Sequence, residues 1–254
     1  MPSRTGKCFE LSNFTPRSVI LISVFEKRSN EPERIDTGDY TDEEYKTFLR
    51  EIRFINRWIG DRWALRKSLL KKIEELDLDQ FSVLDVGAGS GEILKEIALF
   101  ARKRQANAFL VGLDLNELSA QSIASEGETF SEINSVRGDA LHLPFVDRAF
   151  DFAICSLFTH HFSDDGVIEV MREMNRVTSK GVFVIDLHRE QGAYRMYKIF
   201  CAVFRISKLV RDDGLLSIKK GFQPDELSLL AKRAGFTDVT SQTMMPARVV
   251  IAAS

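Results

Sequence analysis

The stretch VLDVGAGSGE, residues 83–92, sets a single aspartate in an apolar run and follows it with glycine at every second position: Gly87, Gly89 and Gly91. The apolar part predicts a short strand ending at Val86, and the residues from Glu92 onward predict a helix. The glycines form the turn between them. Glycine adopts backbone angles that other residues avoid and lets a ligand come close to the main chain. The helix start adds amide groups with no partner inside the helix. Taken alone, the loop fits a tight strand-to-helix turn as well as a ligand cradle.

Working outward, Asp114 closes a second predicted strand, 23 residues after Gly91, and Asp139 closes a third. A carboxylate at the end of the second strand can accept hydrogen bonds from both hydroxyls of a ribose. Each aspartate by itself also fits a turn or a helix cap. Asp85, Asp114 and Asp139 together ring the carboxyl end of a sheet, which is where open α/β sheets bind ligands. Such a ring suits a cationic or amine-bearing ligand. The dinucleotide fingerprint needs glycine at the sixth position, where this chain has Glu92, and a carboxylate at a helix start repels a pyrophosphate.

From residue 82 onward, apolar strands alternate with helices. Strands are expected at SVLDVG, AFLVGLDL, INSVRGDA, AFDFAICSLF and GVFVIDLH, with helices after the first, second and fourth. This alternation predicts a parallel sheet covered on both faces. After the helix QPDELSLLAKRAG come two close strands, FTDVTSQTM and ARVVIAA, which predict an antiparallel hairpin at the sheet edge. Residues 1–39 lack a period and read as an extension. Residues 40–78 read as an N-terminal helical cap. TDEE opens its first helix with a capping box, Phe48, Ile52, Ile55 and Ile59 form a stripe, and Gly60 is the expected stop. Leu65, Leu69, Ile73 and Leu76 share a face of the second helix. A lid is expected as one helix near 193–211, in the sequence AYRMYKIFCAVFRISKLV.

The 254 residues are 44% apolar and 28% charged, with a net charge of −2. That balance disfavours binding to nucleic acid by bulk charge. Cys8, Cys155 and Cys201 form no CxxC or Cys/His cluster, so neither a zinc site nor a disulfide framework is indicated, and a reducing, cytoplasmic setting is expected. No metal site is expected. The run VILISVF, Val19 to Phe25, is too short to span a bilayer.

The motifs resemble the class I S-adenosylmethionine (SAM)-dependent methyltransferases over residues 80–254. VLDVGAGSGE is similar to their first motif, GLDLN to the second, VRGDALHLPF to the third, and FDFAICSLFTHHF to the fourth strand and the segment after it. A closer resemblance is to a bacterial subgroup acting on small molecules, often encoded beside type III polyketide synthases; it rests on LREIRFINRWIG, SLFTHHF, REMNRV, IDLHR and DGLLSIKKGFQPDELSLLAKRAGF. Where that subgroup often has asparagine before the aspartate of the fifth strand, this chain has Ile185. The resemblance implies a Rossmann-like, seven-stranded, mostly parallel sheet. It also implies SAM as cofactor, with S-adenosylhomocysteine as product. Gly87, Ala88, Gly89 and Gly91 would pass the methionine part, Asp85 would hold the loop and the amino group, and Asp114 the ribose with Leu115 beside the adenine. Asp139 and Ala140 would meet the adenine edge, and Ser156 the methionine amine.

Methyl transfer needs an aligned nucleophile and a dry site, and a hydroxyl acceptor also needs a base. His160 and His161 come after the fourth strand at the mouth of the crevice and are candidates for that base, although such a pair also serves to cap a helix. Asp186 and His188 end the fifth strand in the same region. The acceptor is expected to be small and largely apolar, phenolic or enolic, such as an aromatic polyketide or quinone precursor, methylated on oxygen or carbon. The lid fits either a core-packed helix or one that touches a membrane surface. The alternatives are a methyltransferase of RNA or protein, a catalytically silent SAM-binding protein, and a dinucleotide-dependent oxidoreductase. The chain has CSLF where an N-P-P-Y motif would serve planar nitrogens.

Overall fold

The computed structural model describes residues 25–58 and 61–254. The expected stop at Gly60, Ile59 of the stripe, Cys8 and Val19 to Val24 of the apolar run lie outside the described residues. The strands are β1 (Gln80–Val86), β2 (Asn107–Asp114), β3 (Ile133–Arg137), β4 (Phe150–Ser156), β5 (Thr178–Leu187), β6 (Val239–Met244) and β7 (Arg248–Ala253). They form one sheet in the order β3-β2-β1-β4-β5-β7-β6. The first five are parallel, and β7 runs antiparallel to β5 and β6. The expected hairpin therefore closes one edge, with β7 slotted inside β6.

The central strands are buried on both faces, which is why β1, β2, β4, β5 and β7 read as apolar runs, whereas the edge strands β3 and β6 are more polar and more exposed. Leu84, Val86, Leu113, Ala153 and Val184 pack on one side beneath the helices Asp164–Val177 and Pro224–Arg233. Val83, Leu110, Phe152, Ile154 and Ile185 pack on the other beneath 61–75, Glu92–Arg104 and Glu117–Gly127. The chain winds outward from β1 to β3 and then returns to place β4 on the opposite side of β1. That reversal leaves a crevice at the carboxyl ends of β1 and β4, where such sheets bind ligands.

The helices, numbered in chain order, are α1 (Arg34–Thr37), α2 (Asp42–Trp58), α3 (61–75), α4 (Glu92–Arg104), α5 (Glu117–Gly127), α6 (Asp164–Val177), α7 (Gln191–Phe204), α8 (Lys208–Lys220) and α9 (Pro224–Arg233). The capping box of α2 is formed: the Glu44 amide donates to Thr41 Oγ1 at 3.2 Å, and the Thr41 amide to the Glu44 carboxylate at 2.9 Å. In α3 a π turn at Arg66–Leu70 shifts the register. Leu65, Leu69 and Ile73 are fully buried, but Leu76, expected on the same face, falls past the helix end and is 42% exposed.

Three further expectations are corrected. β3 stops at Arg137, so Asp139 lies two residues beyond the strand. The single lid helix is two helices, α7 and α8, broken at Arg205, which takes a left-handed conformation with φ of 53°. Ser207 starts α8 by accepting from the Val210 amide, and its own amide donates to the Glu51 carboxylate of α2. No glycine or proline marks this break, which is why the sequence reads straight through it. Finally, residues 25–39, read as part of an extension, cross the crevice. Buried Arg189 donates to the Phe25 and Glu26 carbonyls while it grips the Glu226 carboxylate at 2.8 and 2.7 Å. Arg28 sits 4.0 Å over the Phe222 ring and donates to the carbonyls of Phe162 and Lys220. Among the described residues, no helix is long and apolar enough to cross a membrane.

Candidate active site

The three glycines of the β1–α4 turn all have left-handed backbone, with φ of 70°, 54° and 80° at Gly87, Gly89 and Gly91. The first two matter most. A Cβ on Gly87 would strike the Phe158 ring at 2.2 Å, whereas one on Gly89 would meet nothing within 4 Å, because that glycine faces open space. The loop is fixed from behind by β2: the amides of Gly87 and Ala88 donate to the Leu113 carbonyl at 2.8 and 3.1 Å. Asp114 then clamps it from the side. One carboxylate oxygen accepts from the Gly89 amide and the other from the Asn116 amide, both at 2.9 Å.

Above this loop lies a cavity of about 1240 Å³, bounded by the ends of β1, β2 and β4, by α2, α7 and α8, and by residues 33–42. Of the residues singled out from the sequence, Asp85, Gly87, Ala88, Gly89, Asp114, Leu115, Ser156, His160 and His161 line it. Gly91, Asp139, Ala140, Asp186 and His188 do not. Gly91 is the N-cap of α4 and packs near Ile123. Asp139 turns back on its own loop, accepting from the Leu141 amide at 2.9 Å, and Ala140 is buried in the core. Asp186 is fully buried behind His160, and His188 bonds Gln223 outside the cavity. The lining also includes Glu33, Asp36, Tyr40, Tyr45 and Arg248, which sequence reasoning missed. Residues 25–39 carry no periodic signal, and Arg248 reads only as part of an apolar strand.

The charges fall into three groups. Asp85 is 1% exposed, and neither of its carboxylate oxygens has a hydrogen-bond partner. Burial, reinforced by the nearby Asp114 charge, pushes its carboxyl up to about 8. A buried polar group is rarely left unpaired without a role.

The second group is His160 with Asp186. The imidazole Nδ1 lies 2.6 Å from the Asp186 carboxylate, which also accepts the His160 amide at 3.1 Å, the Leu187 amide at 2.7 Å and the Thr159 hydroxyl at 2.5 Å. Burial works to raise the Asp186 carboxyl, but His160 and these donors hold it well below the ordinary carboxylate range. An ionised Asp186 places a proton on Nδ1, so in the neutral imidazole Nε2 carries the lone pair.

The third group surrounds His161. Its Nδ1 lies 2.7 Å from Asp36 and 3.9 Å from Glu33, in ion-pair contact and without the alignment of a hydrogen bond. Burial works to lower the imidazolium, but the two carboxylates outweigh it and raise His161 above its ordinary value. Donor atoms of Glu33, His160 and His161 lie within 4.8 Å of one another. The Lys220 ammonium, 3.2 Å from Glu33 and 3.0 Å from Asp36, already supplies the positive charge there. Beyond these groups, Arg248 and Asp61 form a buried pair at 2.5 Å in the cavity wall.

Residues 83–181 match the family model described as a methyltransferase domain. Those residues run from within β1 to the first residues of β5. Over 218 residues the chain is 25% identical to the ubiquinone/menaquinone biosynthesis C-methyltransferase UbiE of Rickettsia felis, covering 76% of this chain and 87% of that protein. It is 28% identical over 142 residues to the demethylmenaquinone methyltransferase of Staphylococcus carnosus, covering 51% of this chain and 58% of that one. Among solved structures, the SAM-dependent methyltransferase of Aquifex aeolicus shares the fold, with a TM-score of 0.57, 16% identity, and 81% and 97% of the two chains covered. The orphaned Asp85 carboxylate and the open Gly89 cradle fit SAM, whose ammonium is cationic and which has no phosphate for Glu92 to repel. The glycine loop, the clamped Asp114 and strands β2 to β4 all fall within the matched segment, so the chain carries a methyltransferase domain with the fold of SAM-dependent methyltransferases.

Proposed function

We propose that this enzyme methylates a small, largely apolar acceptor bearing a phenolic or enolic hydroxyl, on that oxygen or on the adjacent carbon, with His160 as the base. The observation that carries this reading is His160 itself. It lines the cavity, and the ionised Asp186 fixes its tautomer with Nε2 as acceptor. The walls on the far side of the cavity, from Phe48, Ile52, Ile55, Ala193 and Ile218, are apolar and suit a hydrophobic ligand with few polar anchors. The relatives named for quinone biosynthesis support an acceptor of this chemical class. Unpaired, buried thiols at Cys155 and Cys201 accord with a reducing, cytoplasmic setting.

In this reading Asp114 holds the ribose hydroxyls and Leu115 lies along the adenine. Asp85 takes the ammonium, with Ser156 beside it, and Gly87, Ala88 and Gly89 present backbone to the methionine part. When bound, SAM supplies an electrophilic methyl group on a sulfonium. His160 Nε2 removes the acceptor's hydroxyl proton, and Asp186 stabilises the imidazolium that forms. Phe158, Phe162 and residues 33–40 keep bulk water from the reacting groups. A methyl-transfer assay with labelled SAM against phenols, pyrones, quinols, peptides and RNA tests the reading. Turnover is expected on the first three, and turnover confined to peptide or RNA refutes it.

Asp85 gives this assignment a proton signature. Its folded-state carboxyl titrates near 8, above an unfolded value of about 3.9. It is therefore neutral in the free protein at pH 7, and it weighs against folding increasingly as pH rises from the unfolded value toward the folded one. A bound ammonium favours the ionised form. S-adenosylhomocysteine binding at pH 7 is expected to release up to about one proton and to tighten between pH ~5 and ~8. Calorimetry in buffers of different ionisation enthalpy measures this directly. Asp85→Asn is expected to raise the melting temperature of the free protein while weakening the ligand, and a proton-neutral, pH-independent binding reaction refutes the Asp85 role.

A further inference from the structure

Helix α7 carries an apolar stripe that nothing among the described residues covers. Met196, Ile199 and Val203 are set at helical spacing and are 42%, 64% and 67% exposed. Phe204 extends the stripe, and its ring meets Phe54 of α2 edge-on at 5.4 Å, so the patch spans two helices. Single exposed apolar residues are ordinary, but a contiguous set on one helix marks an interaction site. The opposite face of α7 is anchored, with Ala193, Tyr197 and Cys201 buried. The stripe is thus a rigid ridge held outward.

Charge narrows the choice of partner. Arg195, Lys198, Arg205 and Lys208 flank the stripe and are exposed, and α7 has no acidic residue at all. Elsewhere the chain is slightly acidic, so this is a local concentration of positive charge. Lys208 and Arg205 sit at the α7–α8 break, where Glu51 is already engaged by the Ser207 amide. An apolar ridge with basic flanks is the pattern by which helices lie in a lipid interface. Position adds a reason for the contact: Met196 belongs both to the stripe and to the cavity lining.

We propose that α7 docks this enzyme on an anionic phospholipid surface, with Ile199, Val203 and Phe204 in the acyl boundary and Arg195, Lys198, Arg205 and Lys208 among the headgroups. Met196, shared by the stripe and the cavity wall, then sets the cavity beside the bilayer, where a largely apolar molecule is concentrated. The docking claim itself depends only on the helix and holds whatever the acceptor is.

The test is co-sedimentation of the full chain with sucrose-loaded vesicles of phosphatidylcholine, with or without roughly one-third phosphatidylglycerol. Binding is expected on the anionic vesicles at low salt, weakening as salt screens the headgroups. Neutralising Lys198 and Arg195 as Lys198→Gln and Arg195→Gln is expected to weaken it about fivefold per charge. Ile199→Asp with Val203→Asp is expected to reduce partitioning at least ~100-fold. Both positions lie outside the cavity lining, so calorimetry with S-adenosylhomocysteine is expected to match the wild type and show that the variant is folded. Absence of wild-type binding to anionic vesicles overturns the proposal, as does undiminished binding by the double aspartate variant. It is equally overturned if sedimentation equilibrium shows a stable dimer that the aspartates dissociate, which would make a second copy the occupant of this face.

Discussion

Replacing His160 with asparagine is expected to lower turnover by ~10²–10⁴ while leaving S-adenosylhomocysteine affinity within about threefold of wild type. Two histidines stand side by side, with ring centroids 4.3 Å apart, and the structure gives them different surroundings. His161 is pressed against Asp36 and Glu33, whose charges raise it above the ordinary imidazole value and favour the protonated form over the one a base needs. His160 has one ring nitrogen on a buried, ionised carboxylate and the other available. The base assignment therefore goes to His160 alone, and His161→Asn is expected to reduce turnover by less than about tenfold. Asp186 acts through His160 and is a positioning residue. Asp186→Asn keeps its volume but accepts only with its amide oxygen, so the imidazole can take the tautomer that blocks Nε2. It is expected to lower kcat by more than ~10-fold with KM for SAM little changed. Full activity in His160→Asn, measured with an acceptor found in the labelled-SAM assay, refutes the assignment.

The architecture was legible because it depends on local pattern. The central strands β1, β2, β4, β5 and β7 show as apolar runs in the sequence, and the edge strands β3 and β6 show by their place between turns and helices. The glycine loop and Asp114 were legible for the same reason, since both lie at strand ends in fixed order. The features that escaped reading depend on contacts between distant segments. Arg205 breaks the lid with no glycine or proline to announce it, because the break is set by Glu51 on α2 receiving the Ser207 amide. Residues 25–39 look featureless in sequence, yet Arg189 and Asp213 hold them in place. The Asp213 carboxylate accepts the amides of Arg34 and Ile35 at 3.2 and 3.1 Å, and this is what brings Glu33 and Asp36 into the cavity. Asp186 was expected at the acceptor and stands behind His160, a difference of one layer that no spacing rule resolves. Asp139 was expected at the ligand from the resemblance and from a strand drawn through Ala140, whereas β3 stops at Arg137 and Asp139 turns back on its own loop.

Asp114→Ala is expected to weaken S-adenosylhomocysteine binding by ~10²–10⁴. Two charge-assisted hydrogen bonds to ribose hydroxyls are worth on the order of 1.5–3 kcal/mol each, together roughly this range. The same carboxylate also serves the free protein. Its two oxygens already accept the Gly89 and Asn116 amides, one each, and every carboxylate oxygen has a second lone pair for a ligand. Burial raises the Asp114 carboxyl, but the two backbone amides and His161 oppose that shift, and the donors of a bound ribose would add to their effect. Removing the side chain thus removes the ribose contacts and also strips the clamp from Gly89. Asp114→Asn separates the two effects. Its amide oxygen can still accept one backbone N–H, so the loop is partly held while the charge is lost, and a loss of roughly tenfold to a hundredfold is expected. Calorimetry on both variants measures the difference, with circular dichroism to confirm the fold. Unchanged affinity in Asp114→Ala removes Asp114 from the ribose site. Equal losses in Asp114→Ala and Asp114→Asn assign the whole effect to charge and none to the clamp.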